Sequence, residues 1–183
     1  NFELGRYAES ADDFDKSLSD DAGNRTALLM AGWSYFKLEK FEDALARFRK
    51  LRELDRGTVD SLEGLGWTSF KLGQYKQSLD LFQEMRKKDR QHVGAIEGVA
   101  YSYFKLGDLK NAKDNLALAL DKNPRSADSN LIRGYIALAE ADFPLAIKFF
   151  QNSLKLSSKE DYSTYVAIGN AYLAGKDYNN ADK

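Results

Sequence analysis

Apolar residues along this chain recur every three or four positions, the spacing that places them on one face of an α-helix. Between residues 25 and 51 two such stripes follow each other, separated by a short polar break. The first stripe contains Leu28, Ala31, Tyr35 and Leu38, and the second contains Phe41, Leu45, Phe48 and Leu51. Each stripe predicts an amphipathic helix, and the break predicts a tight turn. Neither helix could bury its apolar face alone, so we expect the pairs to stack.

The paired stripes repeat along the chain with a period of 34 residues. The second stripe opens on an aromatic or large apolar residue in each repeat: Tyr7, Phe41, Tyr75, Leu109, Phe143 and, one residue late, Tyr178. A fixed period in this range is typical of stacked-repeat solenoids. Such folds present a long surface, which favours a binding role over a catalytic one. Positions within a repeat are counted from Arg25, Val59, Val93, Ala127 and Tyr162.

Three positions in the repeat carry residues of constant size. Position 8 holds Gly32, Gly66, Ala100, Gly134 and Gly169, and position 20 holds Ala44, Ser78, Ala112, Ala146 and Ala181. Small residues at matched points let two helix backbones approach closely where they cross. Position 24 is large, and holds Phe48, Phe82, Leu116 and Phe150. We expect these large side chains to fill the space that the small residues leave.

The break between the two helices differs from repeat to repeat. Gly73 and Gly107 supply the left-handed residue that commonly ends a helix. Glu39 and Ala141 stand at the same position, so we expect the first helices of their repeats to end less sharply. Pro144 falls in the first turn of a second helix, where its missing N–H costs little.

Together these positions resemble the tetratricopeptide repeat. The resemblance rests on the small residues at positions 8 and 20, the large residue at position 24, Pro124 at position 32, and the tyrosines at position 11, which are Tyr35, Tyr103 and Tyr172. It implies an all-α fold, a right-handed superhelical solenoid of antiparallel helix pairs whose first helices line a concave groove. Five residues depart from the family pattern, and we expect each to weaken the helix packing at its own position. They are Ser69, Ala137, Asn130, Arg56 and Arg90.

The repeat predicts a single solenoid over residues 1–183. Full repeats are expected at 25–58, 59–92, 93–126 and 127–160. Residues 1–24 supply only the second helix of a truncated repeat, near Tyr7 to Ser19, and residues 161–183 form an incomplete repeat. Solenoids need polar capping helices at their ends, and none is evident. We therefore expect the chain to be a segment of a longer array.

The resemblance also implies a binding surface. In the family, positions 2, 5, 9, 12 and 13 line the groove, and the last four share one face of the first helix. The partner-binding residues expected in this chain are Leu29, Trp33, Phe36, Lys37, Glu63, Trp67, Phe70, Lys71, Glu97, Tyr101, Phe104, Lys105 and Tyr135. Because most of them lie in the first three full repeats, we expect the ligand to favour residues 25–126.

The aromatic residues at position 9 are the main functional signal. The family commonly has a polar residue there, often Asn, and in this chain only Asn170 complies. Trp and Tyr offer rigid contact area with a polar end, so they concentrate at binding hot spots. We therefore expect Trp33, Trp67, Tyr101 and Tyr135 to face the groove; the alternative is that they pack between adjacent first helices.

The neighbouring positions 12 and 13 carry weaker signals. For the phenylalanines at position 12 we favour burial, and for the lysines at position 13 we favour ordinary solvation, because Phe is normally inside and Lys outside. If Lys37, Lys71 and Lys105 do bind, they indicate a ligand with an acidic edge.

Composition narrows the class of function. The 27 basic and 28 acidic residues leave a net charge of −1, which does not favour nucleic acid or anionic lipid as partners. The chain has no Cys, and its one His, His92, falls in a predicted turn where we expect it to be solvated. Nucleophile–base pairs and zinc sites built from His and Cys are therefore not available. We expect no catalytic residues, no cofactor and no membrane insertion, while cytoplasm and bacterial periplasm are both compatible.

These observations favour a non-catalytic scaffold or adaptor for protein–protein interaction, which binds a partner peptide or helix in an aromatic-lined groove. Two alternatives stay open. One is self-association through the truncated ends, where Leu4, Tyr7 and Phe14 lie at one side and Tyr172 and Tyr178 at the other. The other is an envelope scaffold that contacts polysaccharide, since stacked Trp and Tyr with flanking carboxylates also suit sugars.

Overall fold

The computed structural model describes residues 2–157 and 162–175, with side chains from residue 5 onward. Tyr178, Ala181 and the side chain of Leu4 lie outside the described residues. The described part is all-α and has no strand. Its helices are α1 (Phe2–Asp20), α2 (Arg25–Lys37), α3 (Phe41–Asp55), α4 (Val59–Lys71), α5 (Tyr75–Lys88), α6 (Val93–Lys105), α7 (Leu109–Lys122), α8 (Ala127–Ala139), α9 (Phe143–Leu156) and α10 (Tyr162–Ala174).

The helix starts follow the repeat in the sequence. α3, α5, α7 and α9 begin at the aromatic or leucine residues that open each second stripe, and Pro144 lies in the first turn of α9. α1 is longer than the sequence indicated, because it begins at Phe2 and not near Tyr7. Residues in the turns fix several starts through side-chain caps. Asn24 accepts a hydrogen bond from the Ala27 amide of α2 at 3.0 Å, and Ser126 accepts one from Ser129 of α8 at 3.2 Å.

His92 also caps a helix. Its Nδ1 accepts a hydrogen bond from the Ala95 amide at 3.3 Å, and the ring is half-buried at the start of α6. The expectation of a freely solvated histidine was therefore wrong. Its role in this turn is structural, because it satisfies an amide that the first turn of a helix leaves without a partner.

The turns within the repeats share one backbone form, whatever residue they carry. Glu39 and Ala141 adopt φ angles of 59°, beside 75° at Gly73 and 81° at Gly107. The residue that follows each of them donates a backbone hydrogen bond of 2.9–3.0 Å to the carbonyl five residues earlier, as Lys40 does to Tyr35. This is the bond of a helix-ending left-handed motif. The expectation that Glu39 and Ala141 end their helices less sharply was wrong. The same backbone hydrogen bond closes these turns, and both residues adopt the left-handed conformation.

By internal contacts the chain forms two compact units, Asn1–Ser102 and Tyr103–Lys183. In the first unit each helix from α1 to α5 packs on the next, and α2 also contacts α4. In the second unit α8 packs on α7 and α9, and α9 packs on α10.

Large rings at position 24 are clamped between glycines of two consecutive first helices. Phe48 is fully buried, and a Cβ atom added to Gly32 or Gly64 would lie 2.6 or 2.4 Å from its ring. Phe82 is held in the same way by Gly66 and Gly98, where the corresponding distances are 2.7 and 2.4 Å. At these four glycines the rings therefore lie directly against helix backbone.

Hydroxyl groups join helices inside the first unit. Ser10 and Ser34 share a hydrogen bond of 3.0 Å, and so do Ser78 and Ser102. Ser78 also donates to the carbonyl of Gly66, at position 8, at 3.0 Å, so position 20 does sit against position 8. Ser69 stands where other repeats have Tyr, and it is the one fully buried hydroxyl in the described residues without a hydrogen-bond partner. The helix packing at Ser69 therefore leaves one buried hydroxyl without a hydrogen bond.

A carboxylate ties α1 to α2 and α3. Asp15 accepts two hydrogen bonds from the Arg47 guanidinium, at 3.1 and 2.8 Å, and one from the Tyr35 hydroxyl at 2.5 Å. Burial alone would raise the pKa of Asp15, but the hydrogen bonds from Arg47 and Tyr35 outweigh it and lower that pKa. The bond to Asp15 raises the pKa of Tyr35 to about 12, and burial adds to the effect. Both shifts stabilise the charged Asp15 and the neutral Tyr35 in the folded chain.

Candidate binding face

The candidate face consists of positions 5, 9, 12 and 13 of the first helices, and the two units each carry part of it. α2, α4 and the first ten residues of α6 belong to the first unit; the last residues of α6 and all of α8 belong to the second. The helical period places these four positions on one side of each helix.

Two half-exposed tryptophans form the centre of the face in the first unit. Trp33 packs edge-on against the buried Phe48 with ring centroids 5.1 Å apart, and Trp67 packs likewise on Phe82 at 4.8 Å. Edge-to-face contacts of this kind stabilise aromatic pairs beyond the area they bury, by about 0.5–1.5 kcal/mol. Each indole is therefore fixed on one side by the core while part of its surface stays open.

The phenylalanines at position 12 extend this ring network. Phe36 contacts Trp33 at 5.5 Å and Phe41, the first residue of α3, at 5.5 Å. Phe70 repeats the arrangement with Trp67 and Tyr75, at 6.0 and 5.4 Å. Both phenylalanines are half-buried and not fully buried. They thus support the tryptophans and also contribute apolar surface.

Tyr101 is placed differently from the tryptophans. Only 6% of it is exposed, and its ring lies 5.8 Å from Trp67 and 6.5 Å from Phe70. The structure places this residue under the face, where it positions Trp67. Position 9 therefore holds two kinds of ring. Trp33 and Trp67 keep part of their surface open, whereas Tyr101 is packed inside.

Charged residues flank the rings in the first unit. Lys37 and Lys71 are exposed, and no carboxylate among the described residues pairs with either. Glu63 is half-buried, and a Cβ atom at Gly94 would lie 2.9 Å from its Oε1 atom. The small residue at position 2 of the next helix thus makes room for this carboxylate. Leu29 and Glu97 are also half-buried on this side.

In the second unit the face is smaller. Phe104 and Tyr135 are stacked with centroids 6.4 Å apart and ring planes 29° from parallel. Tyr135 also packs edge-on against Phe150 at 5.1 Å, as the tryptophans do on their own phenylalanines. Lys105 is exposed, with its ammonium group 6.0 Å from the centre of the Phe104 ring.

The features that fix the rings were not among the expectations from the sequence. Position 6 carries Gly64 and Gly98, and these residues let Phe48 and Phe82 enter far enough to support the indoles. A signal was available, because a glycine inside a predicted helix costs stability and calls for a packing reason.

Two kinds of feature are absent from the described part of the chain, a metal-binding cluster and a membrane-spanning helix. Over residues 2–157 and 162–175 there is no group of three His, Asp or Glu side chains that could hold a metal ion. Within the same ranges we find no helix whose length and apolar character would suit a bilayer span.

Comparison with known proteins identifies the family. A family model for the tetratricopeptide repeat matches residues 29–92 and 100–161, more than half of the chain. A sequence search of curated proteins found no significant match.

Solved structures share the fold at low sequence identity. PilW, a type IV pilus biogenesis factor, is 16% identical with a TM-score of 0.84, and the match covers 99% of this chain and 85% of that chain. TTC0263, a thermophilic TPR protein of Thermus thermophilus, is 21% identical with a TM-score of 0.73 and 86% coverage of both chains. A chain of the APC/C hetero-tetramer Cut9–Hcn1 is 19% identical with a TM-score of 0.84, covering 98% of this chain and 35% of that chain. With the repeat pattern, the helix pairs and the family match in agreement, this chain is a member of the tetratricopeptide repeat family.

Proposed function

We propose that this chain is a non-catalytic protein-interaction scaffold that binds a segment of a partner protein, an extended peptide or a single helix, on its candidate binding face. The observation that supports this function most directly is the placement of Trp33 and Trp67. Each indole is fixed by a buried phenylalanine and is still half-exposed. Rigid aromatic surface that needs no reorganisation is favourable for binding, because little side-chain entropy is lost.

The charges beside the rings indicate the character of the partner. Lys37 and Lys71 lie one residue after Phe36 and Phe70 and have no ion-pair partner among the described residues. A bound segment with apolar side chains against the indoles and carboxylates toward the lysines would match both features. Charges at the edge of an interface mainly increase the association rate and its dependence on salt.

Asparagine is the most informative replacement for the tryptophans. Asn170 occupies position 9 in this chain, so Trp33→Asn and Trp67→Asn test the side chain with a residue that the repeat accepts. A partner isolated by affinity capture on the intact protein would be purified and its Kd measured by calorimetry. We expect the double variant to bind about 30-fold more weakly or worse, since truncating a hot-spot residue costs about 2 kcal/mol or more.

Controls separate binding from folding. Helicity measured by circular dichroism should be retained in the double variant, and Arg49→Ala, at an exposed position of α3, should leave the Kd unchanged. A partner that binds the double variant as tightly as the original chain would show that the face is not the binding site.

The alternatives make different predictions in the same system. If the aromatic face contacts polysaccharide, oligosaccharides and not peptides should change the tryptophan fluorescence in titrations. If the chain self-associates, its sedimentation coefficient should rise with protein concentration without any added partner.

A further inference from the structure

Arg133 stands at a register position that is apolar elsewhere in the chain. Position 7 holds Ala31, Leu65 and Val99 in the preceding repeats, all at most 2% exposed. Arg133 is half-buried at the same position of α8. It lies two residues before Tyr135, and two residues correspond to about 200° around a helix, so it projects away from the candidate binding face.

The guanidinium of Arg133 has few partners inside the protein. It lies over the Phe149 ring, with 5.0 Å between its Cζ atom and the ring centroid, and it donates one hydrogen bond of 3.3 Å to the Lys113 carbonyl. The nearby carboxylate of Glu140 is already bound by the Lys113 ammonium group at 2.7 and 2.9 Å. Among the described residues, no carboxylate forms an ion pair with Arg133.

This environment disfavours a lone charge. Burial lowers the pKa of Arg133, and the charge of Glu140 opposes that shift only from a distance. An arginine side chain nevertheless stays protonated in proteins. It carries five N–H donors, of which the structure engages one, so donors that are partly shielded from water remain to be satisfied.

Arg47 shows how the same chain completes such a pair. Its guanidinium lies 5.2 Å from the centre of the Tyr35 ring, much as Arg133 lies over Phe149, and it also makes a two-point contact to Asp15. Asp15 is at position 25 of its repeat. In α7 that position carries Ala117, which is exposed. Arg47 and Arg133 lie at different positions of the repeat, 23 and 7, but at similar distances from a ring, and only Arg47 has an ion-paired carboxylate among the described residues.

We propose that Arg133 and the Phe149 ring form a binding site for one carboxylate, supplied by an acidic side chain of a partner protein. A guanidinium and a carboxylate are both planar and match at two points, which favours this pair over one with a lysine. Arg133 and Lys113 against Glu140 leave a net charge of +1, which one carboxylate neutralises and a phosphate dianion would exceed. The site is separate from the candidate binding face and would allow a second contact to the same chain.

The test measures binding at the Arg133 guanidinium itself. The Nε–Hε resonance of Arg133 is followed by ¹⁵N NMR while three probes are titrated into the full chain: N-acetylglutamic acid amide, its neutral glutamine counterpart, and inorganic phosphate. We expect a saturable shift with the glutamate compound and an apparent Kd at least tenfold weaker for the other two. No saturable shift, or tighter binding of phosphate, would overturn the assignment.

Two variants show whether the arginine is responsible, with binding read from the backbone amide shifts of α8. Arg133→Leu should fold with undiminished thermal stability, because Leu65 occupies the same position, and should bind the glutamate compound at least tenfold more weakly. Arg133→Lys keeps the charge without the two-point geometry and should bind at least threefold more weakly. Unchanged affinity in Arg133→Leu would assign the binding to Lys113 and refute the proposal. Trp33→Asn with Trp67→Asn should leave this affinity unchanged.

Discussion

Replacing Gly98 by Ala should destabilise the protein, although alanine is the better helix former. The new Cβ atom would lie 2.4–2.5 Å from three carbons of the Phe82 ring, whereas carbon atoms in contact prefer about 3.5–4.0 Å. The ring would have to move by about 1 Å. It has no free direction, because it is fully buried, contacts Trp67 and lies against the backbone of Gly66.

The magnitude follows from two opposing effects. Overpacking a core without room costs typically 1–3 kcal/mol, and the contact with three ring atoms points to about 3 kcal/mol. Removing glycine from a helix interior returns about 1 kcal/mol. The net loss of about 2 kcal/mol corresponds to a fall in Tm of about 4–8 °C for a chain of this length.

Thermal unfolding followed by circular dichroism at 222 nm measures this effect, with Gly5→Ala as the matched control. Gly5 lies in α1, and a Cβ atom there would have no neighbour within 4 Å. The same substitution should therefore leave Tm unchanged or raise it by about 2–4 °C. Combining Gly98→Ala with Phe82→Leu should shrink the penalty, since the clashing ring is gone. If Gly98→Ala raises Tm as Gly5→Ala does, the clamped-ring account is refuted.

Three further predictions concern charge and backbone. The folded pKa of Asp15 is lower than its unfolded value near 3.8, so its contribution to stability is present above that pH and is lost as the pH falls through the folded pKa; acid unfolding of Asp15→Asn and the original chain should converge at low pH, and a gap that persists there would contradict this. The folded pKa of Tyr35 is about 12, above the unfolded value of 10.0, so its contribution to stability is present below pH 10 and is lost as the pH rises through about 12; absorbance at 295 nm should show an ionisation near pH 12 that Tyr35→Phe removes. Replacing Ala141 by Gly should raise stability by about 1 kcal/mol, because a left-handed backbone costs an L-residue about 1–2 kcal/mol; chemical unfolding measures it, and equal or lower stability would mean that the turn imposes no strain.

Much of the fold could be predicted from the sequence, because the 34-residue period determines the order and spacing of the helices. The starts of the second helices followed from the residues that open each apolar stripe. The ends of the first helices were not predicted correctly, because we expected the residue in the turn, such as Ala141, to determine how sharply the helix ends. In the structure the hydrogen bond from Asp142 to Ala137 closes the turn regardless of that residue. Local propensity therefore mattered less than the repeated backbone geometry.

The sequence predicted which side of the helices the candidate residues lie on, but not how deeply each of them is buried. Helical spacing placed Trp33, Trp67 and Tyr101 on one side of their helices, and the structure agrees. Helical spacing alone cannot distinguish a half-exposed indole from the buried ring of Tyr101, because burial depends on which neighbouring helix covers the ring. Arg133 was not among the expected site residues, because a single arginine at one repeat position gains meaning only from the burial of Ala31, Leu65 and Val99 at the same position.

The clamped rings also restrict how the repeats can be rearranged. Phe48 and Phe82 each lie against glycine at position 6 of the repeat that follows, Phe150 packs with the small Ala167 at that position, and Leu116 is followed by the larger Ile132. Deleting residues 59–92 would bring Phe48 to face Gly98, a glycine that already accepts such a ring. Deleting residues 93–126 would bring Phe82 to face Ile132, where the ring has no space. The repeats thus carry an order: a chain that lost or gained repeats by recombination could keep its packing only where the incoming helix matches the ring before it.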